Sequence, residues 1–153
     1  MKLTRVGEHK FELELDSRER VLLVSLLRLY PRVPSTFMPV SKSGDLPDAA
    51  SSQKLIDEAL AEQRSENQRQ VKRFIDDPGR WRELNGSFQA SLSDVEIDWL
   101  LEVLNDVRIG SWMILGSPEE LLELVTQETA PHLWAMEMAG FFQMRIIHAI
   151  EGG

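Results

Sequence analysis

Residues 92–108 read LSDVEIDWLLEVLNDVR and decide the fold that we predict for this chain. Ser93 and Glu96 have the spacing of a capping box, which is typical of the beginning of a helix. Apolar residues then recur at helical spacing, and Gly116 is suited to the position just after a helix end. We therefore predict a long central helix over residues 93–115, with other helices packed around it.

The segments on either side also carry helix signals. Asp16 and Glu19 form a second capping box, and the leucine-rich stretch after them ends at Pro31. Residues 50–76 predict one long helix with two apolar ends and a polar middle. Such a helix either bridges the surface of the domain or projects as the arm of a dimer. Further helices are predicted from Ser117-Pro118 onward and from Pro131 to about Ile150.

We predict β-strands only at the beginning of the chain. Lys2–Val6 and Phe11–Leu15 predict a hairpin, because the second run alternates apolar and acidic residues. We interpret Trp81 and Leu84 as a short amphipathic turn before Asn85-Gly86. The predicted fold is a mainly α, single-domain helical bundle of about five or six helices over residues 1–153, with a small N-terminal β-hairpin.

Residues 31–50 predict an irregular Pro/Ser-rich loop within that domain, with four prolines and three serines. Loops of this length are often functional or mobile. A loop that packs across the domain is the simpler interpretation, and we favour it.

Charge and composition limit the classes of function. The 153 residues carry a formal net charge of −8 and include no cysteine. Residues 91–130 hold nine acids and one base, so this segment alone carries the net charge. An acidic chain repels phosphate backbones, which argues against nucleic acid as a partner. Neither a secretory signal nor a membrane span is indicated, so we expect a cytoplasmic protein.

The patterns of ionisable residues do not indicate a catalytic site, a metal site or a cofactor. No two histidines have the i,i+3 or i,i+4 spacing of a helical metal motif. A row of four carboxylates runs along one side of the central helix, and we interpret it as a solvated stripe rather than as acid–base machinery. The row consists of Asp94, Asp98, Glu102 and Asp106.

Two arginines fall among apolar residues and mark the one candidate site. Arg108 lies on the apolar side of the central helix, and Arg145 lies in the aromatic last helix. A buried guanidinium needs an acid or an aromatic ring beside it, so Asn105, Asp106 and Glu137 are candidate partners. We favour a structural polar network formed by these five residues. The alternative is a pocket that recognises an anion.

The run from Trp99 to Arg108, WLLEVLNDVR, resembles an uncharacterised bacterial group, domain-of-unknown-function family 2017. The likeness covers residues 11–30 and 90–150, with the leucine-rich early helix and the aromatic closing helix. The family has no established activity. In actinobacteria its genes tend to lie beside the gene for the adaptor of the Clp protease, so the resemblance implies a regulatory role or one linked to proteolysis.

We therefore expect a non-enzymatic interaction or regulatory protein that binds a protein partner or forms a homodimer. The apolar last helix and the long helix at residues 50–76 are the basis of this expectation. The alternative function is a small anionic-ligand-binding module or enzyme that uses Arg108 and Arg145.

Overall fold

A computed structural model describes residues 1–34, 49–120 and 125–152. These residues form an α+β fold with one four-stranded antiparallel sheet and four helices. The strands are β1 (Lys2–Gly7), β2 (Lys10–Asp16), β3 (Trp81–Leu84) and β4 (Ser87–Ser93), and the helices are α1 (Ser17–Leu27), α2 (Ala49–Asp76), α3 (Asp94–Ile114) and α4 (Ala130–Glu151). The prediction of a mainly α bundle of five or six helices is therefore wrong.

The sheet has the strand order β1-β2-β4-β3, so β2 and β4 are its central strands. Phe11 lies opposite Leu92, and Leu13 lies opposite Ala90. These four side chains and Leu15 are buried. Because successive side chains of a strand point to opposite faces, one face of the sheet is apolar and contributes to the core.

The second hairpin is the element that our sequence analysis missed. Asn85 and Gly86 both have positive φ, at 52° and 82°, and they join β3 to β4. A two-residue turn with positive φ at both positions favours Asn-Gly, because its twist matches that of the strands. We had interpreted Trp81 and Leu84 as an amphipathic turn, whereas both lie in β3. The N-terminal hairpin is therefore half of a larger sheet.

The start of α1 and both ends of α3 follow the local signals. Asp16 caps α1 and Ser93 caps α3, and in each case the side chain accepts a hydrogen bond from the backbone amide of the N3 glutamate. Gly116 follows the end of α3 with a φ of 88°. Its amide donates to the carbonyl of Met113, as in a Schellman motif. These capping predictions are confirmed.

Helix α3 is the centre of the core, and its most extensive helix–helix packing is with α4. The two helices are antiparallel, since Gln143 lies beside Asn105 and Gly140 lies beside Arg108. The inner face of α4 is buried along its length through Ala135, Ala139, Phe142 and Ile146. The α4 residues that face away from this core are thereby left at the surface.

Helix α2 is anchored by its C-terminal half. Val71 and Phe74 are buried, and the Phe74 ring packs edge-on against Trp81 at 5.3 Å. Leu55 and Ile56 near the other end are exposed. Our prediction of two apolar anchoring ends is therefore met at one end only.

Two predicted segments lie partly outside the described residues. They are the irregular loop predicted over residues 31–50, of which residues 31–34 and 49–50 are described, and the helix predicted from Ser117-Pro118, of which residues 121–124 are not described. Residues 49 and 50 belong to α2 instead of the loop. Residues 117–120 are not helical. Among the described residues, no helix is both long and apolar enough to cross a membrane.

Candidate functional site

The chain after α1 crosses α3 at very close range, and Asp106 holds it there. Asp106 Oδ1 accepts hydrogen bonds from the backbone amides of Arg32 at 2.6 Å and Val33 at 3.3 Å. A Cβ atom built on Gly110 would lie 2.4 Å from the Cβ of Arg32. The absent side chain at Gly110 therefore provides the space for the crossing, and Asp106 has a structural role.

The guanidinium of Arg32 connects this crossing to α4. It donates to Ser111 Oγ at 3.2 Å and contacts His132 Nδ1 at 2.9 Å. Ser111 is fully buried within α3. A buried hydroxyl without a partner would be costly, so Arg32 satisfies Ser111 while it ties the crossing segment to both helices.

A cleft lies between α2, α3 and the crossing segment, and its lining contains both polar and apolar residues. Its volume is about 260 Å³, and Tyr30, Gln63, Glu102 and Asp106 are among its lining residues. Glu102 Oε1 accepts from Gln63 at 2.8 Å and from the buried Asn67 at 3.2 Å. The polar middle of α2 therefore faces two of the carboxylates that we had interpreted as a solvated stripe.

Tyr30 belongs to the same network. Its hydroxyl accepts a hydrogen bond from Asn67 Nδ2 at 3.1 Å. Burial raises the pKa of Tyr30, the Asn67 hydrogen bond lowers it, and the charges of Asp106 and Glu102 raise it further. The tyrosine therefore stays protonated at neutral pH and can donate its own proton into the cleft.

Arg108 and Asn105 form a small network between α3 and α4. Arg108 Nη2 donates to Asn105 Oδ1 at 3.0 Å, and Gln143 Nε2 donates to the same oxygen at 3.4 Å. No salt bridge joins Arg108 to Glu137, a partner that we had considered for it, and both residues lie in the described part of the chain. Arg108 as a whole is half-buried, and its Nε is buried without a hydrogen-bond partner among the described residues.

Arg145 lies elsewhere. Its Nη2 donates to the carbonyl of Met1 at 3.1 Å, and its guanidinium lies 5.8 Å from the centre of the Phe141 ring. Gly140, the α4 residue that lies beside Arg108, and Arg145 are about 140° apart around α4. The five predicted site residues therefore divide among the cleft, the α3–α4 contact and the outside of α4. The structure does not bring the two arginines together.

The outside of α4 carries large apolar side chains. Trp134, Phe141 and Met144 are exposed to 37%, 44% and 54%. Their spacing of seven and three residues places them on one side of the helix. Glu137 and His148 are exposed on the same side. We call these five residues the outer face of α4.

No cluster of three or more metal-ligating side chains occurs among the described residues. Comparison with known proteins found no matching family model, no similar curated protein and no similar solved structure. The resemblance to domain-of-unknown-function family 2017 therefore stays a prediction.

Sequence reasoning missed the role of Tyr30, Arg32 and Asn67 in these networks. Gln63 and Asn67 did carry a signal, because they interrupt the apolar face of α2. Arg32 lies in an irregular segment without periodicity, so nothing in the sequence indicated which helices it contacts.

Proposed function

We propose that this chain is a non-enzymatic interaction protein that binds a protein partner through the outer face of α4. The exposed side chains of Trp134, Phe141 and Met144 are the observation that supports it. Fully burying an exposed side chain of this size contributes roughly 1.5–3 kcal/mol, and these three are already about half covered. A partner that covered the rest of all three would gain about half of that for each, which offsets part of the cost of association.

The composition of this face is typical of a protein interface rather than of a small-molecule site. Aromatic residues and methionine are enriched at the centres of interfaces, with polar residues at the rim. Here Glu137 and His148 lie among the apolar residues on a convex helix surface. Small molecules prefer concave sites that surround most of their surface.

The cellular setting is part of the proposal. A cytoplasmic location is supported by the absence of cysteine in the sequence. A link to regulated proteolysis is supported by the family resemblance, in which the matching run extends from Trp99 to Arg108. We do not extend the proposal to an anionic ligand, because Arg108 and Arg145 bind different groups on different sides of α4.

Photo-cross-linking in the native host tests the proposal. A benzophenone amino acid replaces Met144 in one variant and Val95 in a matched control. Val95 is the more exposed of the two, at 71%, and lies in the first turn of α3. We expect irradiation to produce a protein adduct from position 144 that position 95 does not produce.

A second substitution in the same experiment tests whether the adduct comes from a specific contact. Phe141→Glu added to the Met144 variant is expected to abolish the adduct, because it introduces a charge at the centre of the face. Adducts of equal yield from positions 95 and 144, or none from 144, would contradict the proposal.

A further inference from the structure

The exposed residues of α4 follow a heptad pattern. Counting from Trp134, the intervals are three and four residues in alternation, and every residue of the series is exposed. The series is Trp134, Glu137, Phe141, Met144, His148 and Glu151. Three of the six residues are apolar, namely Trp134, Phe141 and Met144, and apolar residues at such positions form the seam through which one helix packs lengthwise against another. The partner is therefore expected to present a helix of matching pattern.

We propose that this partner is a second copy of the chain, with the two α4 helices packed antiparallel about a two-fold axis. This inference rests on the proposed function and names the partner of the same face. The two-fold axis passes the helix pair at the level midway between residues 142 and 143. Phe141 of each copy then faces Met144 of the other. A two-fold interface makes every contact twice, so both copies use the same residues.

The charged residues agree with this register. Glu137 of one copy faces His148 of the other, so a carboxylate meets an imidazole N–H. Trp134 faces Glu151, and the indole N–H meets a carboxylate. Apolar residues thus face apolar residues at the centre, and acids face hydrogen-bond donors toward the ends, which is the arrangement that stabilises a desolvated interface.

Other arrangements of the same two helices place acids unfavourably. A parallel, in-register pair sets Glu137 against Glu137 and Glu151 against Glu151, and like charges in contact are destabilising. An antiparallel pair shifted by one heptad sets Glu137 against Phe141, which buries a carboxylate against an aromatic ring. Of these three arrangements, the charges favour the antiparallel pair centred between residues 142 and 143.

The size of the surface sets the expected strength of the dimer. Helix α4 has 22 residues and is about 33 Å long. A single helix face of that length covers less than the roughly 800 Å² per partner of a standard stable interface. We therefore expect a dimer with a dissociation constant in the micromolar range, on the order of 10 μM.

Sedimentation equilibrium of the full chain, together with a charge swap, tests the inference. His148→Glu places acid against acid at both ends of the interface, and we expect it to weaken dimerisation about tenfold or more. Adding Glu137→Lys to that variant sets a lysine against a glutamate across the axis and is expected to recover most of the affinity. Positions 137 and 148 are about 16 Å apart along one helix, so the recovery cannot arise within one copy.

Matched control variants distinguish the effect of charge at the interface from the effect of the net charge of the chain. Glu62→Lys and Gln68→Glu make similar charge changes at exposed positions of α2 and are expected to leave dimerisation unchanged. Circular dichroism of each variant checks that the fold is kept. A dimer that His148→Glu does not weaken, or that the double variant does not recover, would overturn the antiparallel α4 pairing.

Cysteine cross-linking measures the relative orientation of the two α4 helices directly. Introduced cysteines react alone, because the chain has no cysteine of its own. Phe141→Cys and Met144→Cys chains are mixed in equal amounts under mild oxidation. Antiparallel packing predicts that the mixed disulfide forms faster than either symmetric one. Faster symmetric products would indicate a parallel pair and would also overturn the inference.

The experiments distinguish an incorrect dimer inference from an incorrect proposed function. A chain that stays monomeric at about 200 μM, while position 144 still cross-links to another protein, contradicts the second copy and leaves the proposed function standing. A monomer without any adduct from position 144 contradicts both.

Discussion

Gly110 lies directly beneath Arg32: a Cβ atom at Gly110 would be 2.4 Å from the Cβ of Arg32 and 2.6 Å from its carbonyl carbon. The backbone of Arg32 cannot move aside without moving the segment that lines the cleft between α2 and α3. Gly110→Ala is therefore expected to lower the free energy of unfolding by about 1–3 kcal/mol, the usual cost of overpacking, although alanine favours helix more than glycine does. Urea denaturation measures the change.

Gly140→Ala is the control for that experiment. It is also helical, but its Cβ would meet Arg108 Cδ at 3.7 Å, an ordinary contact. We expect this variant to be neutral or more stable by about 0.5–1 kcal/mol. Equal effects of the two substitutions would show that the crossing at Gly110 is not tight.

Asp106 is expected to stabilise the same crossing through its carboxylate oxygen. Asp106→Ala leaves the amides of Arg32 and Val33 without their acceptor, so we expect a loss of about 1–3 kcal/mol in the free energy of unfolding. Asp106→Asn keeps an oxygen acceptor and should lose less. Amide hydrogen exchange at residues 32 and 33 should accelerate in the alanine variant. Unchanged exchange would contradict the assigned role.

Tyr30 offers a direct optical test of the cleft between α2 and α3, because it is the only tyrosine in the chain. Burial is the largest cause that raises its pKa, and the charge of Glu102 contributes. Absorbance titration at alkaline pH should therefore give a pKa above the ordinary value of about 10. Glu102→Gln should lower this pKa, because it removes a negative charge that opposes ionisation.

The sign of the stability effect follows from that pKa. A group whose pKa is raised in the folded state contributes stability below its unfolded pKa and loses it as the pH rises through the folded value. Stability should accordingly decline at strongly alkaline pH as Tyr30 ionises. A tyrosine that titrates at its ordinary pKa in the folded chain would indicate that the cleft is open at this position.

The hydrogen bond between Asp94 and His9 leads us to expect a loss of stability at acidic pH. His9 Nδ1 lies 2.7 Å from Asp94 Oδ2, and this hydrogen bond is the main cause that lowers the pKa of Asp94. The stabilising contribution of Asp94 is therefore present above the ordinary carboxyl pKa of about 4 and is lost as the pH falls through the lower folded value. Carbon-detected NMR titration should show the Asp94 pKa returning toward its ordinary value in His9→Ala. An unchanged pKa would contradict the pairing.

Local signals in the sequence were sufficient for the helix starts. Asp16 and Ser93 cap their helices through residues only three positions away, so the interaction is complete within one turn of chain. Asn85-Gly86 was an equally local signal for the second hairpin, and we missed it because the spacing of Trp81 and Leu84 also fits a helix. That error changed the fold class from α+β to mainly α.

The sites depended on contacts between distant residues. Asp106 meets Arg32 across 74 positions, and Ser111 meets the same residue across 79. An irregular segment has no periodicity from which its neighbours can be predicted. Asn105 was named from the sequence as a candidate partner of Arg108, and the structure joins the two. The partners of Asp106, which are the amides of Arg32 and Val33, were not predicted.

The sequence by itself determined where most of the regular elements begin and end, because caps, turns and periodicity act over a few residues. It also determined the apolar, charged and aromatic content of each face of α4. Only the tertiary structure decided which of those faces is covered. Packing α4 against α3 buries Ala135, Ala139, Phe142 and Ile146 and leaves Trp134, Phe141 and Met144 outside. That choice is made by the whole core, since a helix that is apolar on nearly every side has no inner face until its neighbours are in place.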